Sequence, residues 1–228
     1  MFLYNIYMSI RKVNFVPGEY YHVYNRGNSK QVIFRDEKDF KHFIFLLYLS
    51  NTIRNFAMRD ITQNFFNFNQ EKQLVSIGAW VLMSNHFHLI ITPTENESIS
   101  KFMQKLTTAY SMYYNKKYKR TGSLFEGKFK SKHIKDDRNL KYLFSYIHLN
   151  PIKLIQKDWK EKGIKDKQQA THFLNDYKYS SYQDYLNIES KRPESIILNK
   201  KDFPSYFPTK EKFKKEIFEW LSYKDLTP

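Results

Sequence analysis

With 228 residues, 41% hydrophobic and 18% aromatic, the chain can bury a substantial core as one domain with an appendage. It has no cysteine, which excludes a disulfide framework, a thiolate metal site and a cysteine nucleophile. Its formal net charge of +15 points to a polyanionic partner, nucleic acid first.

The start, Met1–Met8, is short and broken by polar residues, and no later run reaches the ~18 apolar residues a membrane span needs. A cytoplasmic protein with no membrane partner is expected. No glycine-rich phosphate loop is present, so no nucleotide cofactor is expected either.

Residues 1–18 read as a loose arm ending in the Pro17-Gly18 turn signal. Residues 19–26, Glu-Tyr-Tyr-His-Val-Tyr-Asn-Arg, alternate as a strand, closed by Gly27-Asn28. Its aromatics read as core; Asn25 and Arg26, at its end, are better placed for a ligand. Asp36 is a cap for a helix over 37–54 with Phe40, Phe43, Leu46 and Leu47 on one face. Residues 55–74 read as a polar connection.

Two strands, 75–83 and 86–92, follow, joined by a tight turn at Ser84-Asn85. Alternation puts His86 and His88 on one face, roughly 7 Å apart along the strand, with Phe87 facing the other way into the core. Such a pair can converge on one metal ion. It can equally be two half-exposed histidines, although an unpartnered polar pair opening an apolar strand is costly.

Pro93 ends the second strand. Ser98 or Ser100 is a cap for a long helix over 99–118 with an apolar stripe from Ile99 to Tyr113. A strand over 128–135 comes next. Residues 101–135 hold ten Lys or Arg against one acid, Glu126. A lysine-rich composition would spread its charge, so this clustering favours a nucleic-acid surface. A solvated helix face is the alternative. Asp136 or Asp137 caps the next helix, and Pro151 stops it. Tyr142, Tyr146 and Asn150, spaced i, i+4, i+8, lie along one of its faces.

The order strand, helix, two strands, helix, strand, helix fits an antiparallel sheet with helices on one face, in the split pattern of a ferredoxin-like core. The fold class is therefore α+β with an α-helical C-terminal extension. The division expected is a catalytic domain over 17–153 and an accessory helical region over 154–228, which includes an amphipathic stretch near 209–223.

If the Tyr146 face packs over the sheet, the Asn150 amide oxygen completes a metal site with His86 and His88, and Tyr146 hangs beside the ion. A phenol is a weak nucleophile at its free pKa of about 10, and a divalent ion would offset charge on an attacked phosphate. With 18 tyrosines in the chain, periodicity does not separate Tyr146 from Tyr142 or Tyr113.

Four segments resemble the single-tyrosine HUH transposases: Gly18–Gly27, Trp80–Pro93, Gly122–Ser131 and Tyr146-Ile-His-Leu-Asn-Pro151. The last is similar to the ending found in REP-associated tyrosine transposases. The resemblance spans roughly residues 17–185; the tail beyond Tyr185 matches nothing in it. It implies a ferredoxin-like core that nicks single-stranded DNA, often at the foot of a hairpin, through a 5′-phosphotyrosine, and then transfers the strand. By position it makes Tyr146 the nucleophile and His86, His88 and Asn150 the ligands of Mg2+ or Mn2+. Two histidines and an amide are a poor zinc set.

Asn25, Arg26, Lys119, Arg120, Lys128, Lys130 and Lys132 are the candidate DNA contacts, with Tyr118 a candidate for base stacking. Minimal relatives act as dimers and REP-associated ones as monomers, so a homodimer is left open. Two other readings stand beside this one. A domesticated module would hold structured DNA or RNA without cutting. A hydrolase with a water nucleophile would need a carboxylate base, for which Glu126 is the one candidate.

Overall fold

The computed structural model describes residues 14–55, 68–186 and 192–219. Most of the expected N-terminal arm and residues 56–67 of the polar connection lie outside that range. Pro17-Gly18 does form the turn, with Gly18 at a φ of 84° that favours glycine.

A four-stranded antiparallel sheet runs in the order β2-β3-β1-β4. Its strands are β1 (Tyr20–Arg26), β2 (Val75–Met83), β3 (His86–Pro93) and β4 (Lys130–Ile134). Helices α1 (Glu37–Leu49) and α2 (Ser98–Lys117) make the two crossovers, completing the ferredoxin-like βαββαβ unit. The strands bearing the His pair and its β1 neighbour are therefore the two central ones.

Alternation divides the sheet into two faces. Tyr21 and Val23 of β1, Trp80 and Leu82 of β2, and Phe87, Leu89 and Ile91 of β3 pack against α1 and α2 through Phe43, Leu46, Phe102 and Leu106. Phe87 is fully buried, 5.0 Å from the Phe43 ring. It anchors β3 between the two histidines, as its position implied.

The opposite face carries Ala79, Val81, Met83, Ile90 and Ile134 and is covered by a third helix, α3 (Asp137–Leu149). The sequence expectation of helices on one face therefore fails. The split unit places both crossovers on one side, and the helix after β4 then closes the other.

The C-terminal segments α4 (Trp159–Lys162), α5 (Lys167–Asp176), α6 (Tyr182–Leu186) and α7 (Lys210–Glu219) join α3 in one apolar cluster. The connections between these helices also pair with the free edge of β2. Leu82 N donates to Tyr179 O at 2.9 Å, Ser181 N to Trp80 O at 2.9 Å, and Asn199 N to Ile77 O at 2.9 Å. An edge strand with open backbone groups invites association, and this cover satisfies it. Phe203 packs on Gly78 at the irregularity in β2, where a side chain would meet its ring at 2.8 Å.

Local signals set most helix ends. Asp36 and Asp136 accept from the backbone N–H three residues on, at 3.0 and 2.7 Å. Helix α1 stops at Leu49, short of the expected residue 54. Asn51 instead spends its amide on the start of β2, bonding Leu74 N, Val75 N and Val75 O. Neither Ser98 nor Ser100 caps α2; the N-cap is Glu97, at a left-handed φ of 64° and with no side-chain cap bond. Among the described residues no helix is long and apolar enough to cross a membrane.

Candidate functional site

The site is built where β3 begins. The Ser84-Asn85 turn is pinned from β1's continuation: Gly27 N donates to Asn85 O at 2.8 Å, and Ile33 N and Phe34 N donate to Ser84 O at 2.9 and 3.0 Å. Ser29 and Lys30 hold positive φ in this segment. That strain aims the Lys30 carbonyl at Asn85 Nδ2, 3.1 Å away.

This contact fixes the chemistry of His86. With its Nδ2 donating to Lys30 O, Asn85 turns its Oδ1 to His86 Nδ1 at 2.6 Å. An amide oxygen only accepts, so the ring proton sits on Nδ1 and Nε2 keeps its lone pair. The His86 and His88 ring centroids are 5.1 Å apart.

All three imidazoles on this face are held neutral. Burial, with Lys153 and Arg26 adding, lowers His86 to about 4; the Asn150 amide opposes the shift. Burial and its neighbours His22 and His86 lower His88 well below the usual range. Burial, then Lys132 and Lys160, lowers His22 to about 3. Neutral imidazoles are the form that binds metal.

Helix α3 brings the remaining groups. Its Tyr142-Tyr146-Asn150 face meets the sheet over the histidines. The Tyr146 ring is 5.7 Å from that of His88 and 6.4 Å from that of His22. Tyr142 stacks behind it at 6.4 Å. Asn150 is the C-cap of α3, fixed there because Pro151 cannot continue the helix. Its amide acts on both His86 and Tyr146, raising the one and lowering the other.

One chain therefore brings the Tyr146 ring beside His88, and the Asn150 amide within reach of His86 and Tyr146. Among the tyrosines weighed for the site, Tyr113 is excluded by place, since it sits on α2 beneath the other face, hydrogen-bonded to Asp39 at 3.1 Å. Tyr24 takes its place as a neighbour, with its ring 5.6 Å from that of His88.

Whether this donor set suits a divalent cation is tested by the Asn150 oxygen. Asn150 is 4% exposed, and its Oδ1 is buried without a hydrogen-bond partner. A buried acceptor in that state costs about 1–3 kcal/mol. An unsatisfied amide oxygen beside two neutral imidazoles fits a hard-to-borderline ion such as Mg2+ or Mn2+. Among the described residues no three His, Cys, Asp or Glu side chains form a metal cage, so the amide is essential to such a set.

The nominated DNA contacts divide by position. Lys130 and Lys132 pair with Tyr24 and His22 across the β1–β4 ladder and rim the site-bearing face. Arg26, opposite His86, is exposed and forms a two-pronged ion pair with Glu126. That pair lowers the Glu126 pKa and engages the one carboxylate proposed as a base. Lys119 and Lys128 are exposed; Arg120 packs over the Tyr114 ring at 5.6 Å.

Asn25 departs from expectation. It is 4% exposed, and parity places it with Tyr21 and Val23 on the α1/α2 face. Its Nδ2 donates to Gly127 O at 3.3 Å, and its Oδ1 accepts from Arg26 N at 2.9 Å. The side chain holds the loop after α2 rather than facing solvent. Tyr118, the stacking candidate, is bonded to Asp39 and lies under Arg35, whose guanidinium is 4.5 Å from its ring.

Three contributors were missed. Lys160 lies over the Tyr146 ring at 4.6 Å, and buried Trp159 stacks beside it at 6.3 Å. Both come from a stretch that sequence marks only as polar and lysine-rich. His22 was missed as well, although alternation places it on the site face once β1 and β3 are neighbours.

The buried histidines make stability pH-dependent. His148, fully buried beneath α6 and bonded to Ser181 Oγ at 2.8 Å, is lowered by burial to about 3, and His42 to about 4. Unfolding returns each toward 6.5, so the unfolded chain binds more protons between those values. Stability should fall as pH drops from 6.5 to 4, by on the order of 2 kcal/mol for each well-buried histidine. Thermal melts of metal-free protein across that range check this; a flat profile contradicts it.

A search of curated proteins gives no match. Among solved structures, the chain is similar to a REP-associated tyrosine transposase bound to a REP hairpin, with 14% identity, a TM-score of 0.46, and 82% of this chain and 90% of that one covered. The family described as "Transposase IS200 like" matches residues 20–150, from the first residue of β1 to Asn150. That span takes in the sheet, the histidine pair and the Tyr146 face of α3, and the chain belongs to the IS200-like transposase family.

Proposed function

We propose that this transposase nicks single-stranded DNA at hairpin-flanked sites through a covalent tyrosine intermediate and then rejoins the strand elsewhere. The observation that carries the reading is the meeting of Tyr146, Asn150, His86 and His88 within one chain. The clustered basic charge and family membership support DNA as the partner.

His86 Nε2, His88 and the Asn150 amide oxygen would hold Mg2+ or Mn2+. When bound, that ion would polarise the scissile phosphate and offset charge on the pentacoordinate phosphorus. The chain's own residues do the rest. Lys130, Lys132, Lys153 and Lys160 place cations around the phosphate-binding side of the site. Asn150 orients Tyr146 and favours its ionised form. Burial, with Tyr24 adding, raises the phenol pKa and holds it protonated, so the nucleophile is quiet until a phosphate and its counter-charges arrive.

In the chemical step the Tyr146 oxygen forms a bond to phosphorus and the P–O3′ bond breaks. The phenol proton is balanced by protonation of the departing 3′ oxygen, and no water is consumed. The phosphodiester energy stays in the phosphotyrosine, so a second 3′-OH can reverse the step without an external energy source. The Asn85–His86 contact and the α3 C-cap make this site part of the rigid frame, as such geometry requires.

End-labelled hairpin DNA with Mn2+ tests the proposal. Label at the 3′ end should travel with the denatured protein, and label at the 5′ end should leave on a fragment that a polymerase can extend. Cleavage with no protein-bound label would point to a water nucleophile. Binding without cleavage under any divalent metal would favour a holding module.

A further inference from the structure

One buried imidazole has no role in the chemistry above. His22 lies in the middle of β1, 3% exposed, with its Nε2 2.9 Å from His88 Nδ1. The two rings are 5.0 Å apart and nearly parallel, at 27°. The other nitrogen of His22, Nδ1, is buried without a hydrogen-bond partner. A polar ring placed this deep for packing alone is costly; a phenylalanine would fill the space without a penalty.

We propose that His22 is a positioning residue that accepts the Nδ1 proton of His88 and so keeps Nε2 of His88 bare for coordination. This rests on the metal reading under Proposed function. Two nitrogens at 2.9 Å share one proton, and its side decides the outcome. If His22 donated, a neutral His88 would carry its proton on Nε2 and could not ligate. If His88 donates, its Nε2 lone pair is free.

The same arrangement already exists one step along the strand. His86 gives its Nδ1 proton to Asn85 Oδ1, so both histidines would present Nε2 in the same sense. Ligating histidines usually donate their second N–H to a carboxylate, a carbonyl or water. Here both acceptors are uncharged, an amide and an imidazole. They fix orientation without adding negative charge beside a site that must receive a phosphate. His22 is not itself a ligand in this arrangement, because its Nε2 lone pair is spent on His88.

The test uses the full chain, as wild type and as His22→Gln and His22→Leu. Glutamine offers an oxygen in place of the ring nitrogen; leucine fills space and accepts nothing. Ring 15N shifts of His88, identified by their loss in His88→Gln, report which nitrogen holds the proton without any metal. Wild type and His22→Gln should show the proton on Nδ1, and His22→Leu should lose that preference.

Mn2+ titration followed by electron paramagnetic resonance should show about 10–100-fold weaker binding for His22→Leu, with His22→Gln restoring affinity to within a few-fold. Circular dichroism melts identify any variant that fails to fold, and the wild-type proton position remains decisive without it. A wild-type His88 protonated on Nε2, or a folded His22→Leu that binds Mn2+ as wild type does, overturns the assignment. If wild type and His86→Ala bind Mn2+ equally poorly, the metal reading itself has failed. The proton position on His88 then still decides the direction of the His22 contact.

Discussion

Tyr146→Phe should abolish the covalent DNA adduct, a fall of at least about a thousandfold, because the proposed attacking atom is removed. The substitution deletes one oxygen and leaves the ring. The contacts with Tyr142, Trp159 and the Lys160 ammonium are ring contacts, so they persist. Hairpin DNA binding and the unfolding midpoint should therefore stay close to wild type. This separates a chemical defect from a structural one.

Two other tyrosines are near enough to need exclusion. Tyr24 stands beside His88, and Tyr142 stacks on Tyr146 one helical turn away. The Asn150 amide favours ionisation of Tyr146, whereas burial and Tyr146 itself raise Tyr142. Tyr24→Phe and Tyr142→Phe should keep adduct formation within about tenfold of wild type. Denaturing gels with 3′-labelled DNA check all three. An adduct that survives Tyr146→Phe and disappears in Tyr24→Phe would reassign the nucleophile. Mixing Tyr146→Phe with His86→Ala protein adds a further check. Since one chain supplies every group, the mixture should stay inactive; recovered adduct would mean that the site is shared between subunits.

The histidine pair, the turn before it and the tyrosine face of α3 were legible because each depends on local periodicity. Two residues on one strand, or three on one helix face, share a direction whatever the rest of the chain does. What was not legible depends on register between distant strands. His22 reaches His88 only because β1 lies against β3 with Tyr24 opposite His88, 64 residues on. The fold class implied the neighbour but not the register.

Asn25 was misread for a simpler reason. Its place near the strand end suggested exposure, yet its parity with Tyr21 and Val23 already assigned it to the buried face. Trp159 and Lys160 left no signal, since a lysine-rich connection carries no period. Their position over Tyr146 is set by the 3₁₀ turn at Asn150–Leu154 that follows the α3 cap. The helices of the second face were hidden in the same way. Each is amphipathic alone, but which side of the sheet it covers is fixed by the crossovers before it.

His86→Ala should weaken Mn2+ binding by two orders of magnitude or more and reduce nicking by at least about a hundredfold. The effect is large because the site has few ligands to spare. Two imidazole nitrogens and one amide oxygen make up the proposed donor set, and none carries charge. Losing one of three leaves a pair that hydrated Mg2+ has little reason to exchange water for. Asn150→Ala removes a different donor and should weaken Mn2+ less, about tenfold. It should cost nicking more than its metal defect explains, because the same amide also orients and helps to ionise Tyr146. Comparing each variant's Mn2+ affinity with its nicking rate at saturating Mn2+ separates the two roles. Saturating metal should rescue Asn150→Ala only in part. Full rescue would make Asn150 a ligand and nothing more, and unchanged Mn2+ binding in both variants would remove the metal site from this face of the sheet.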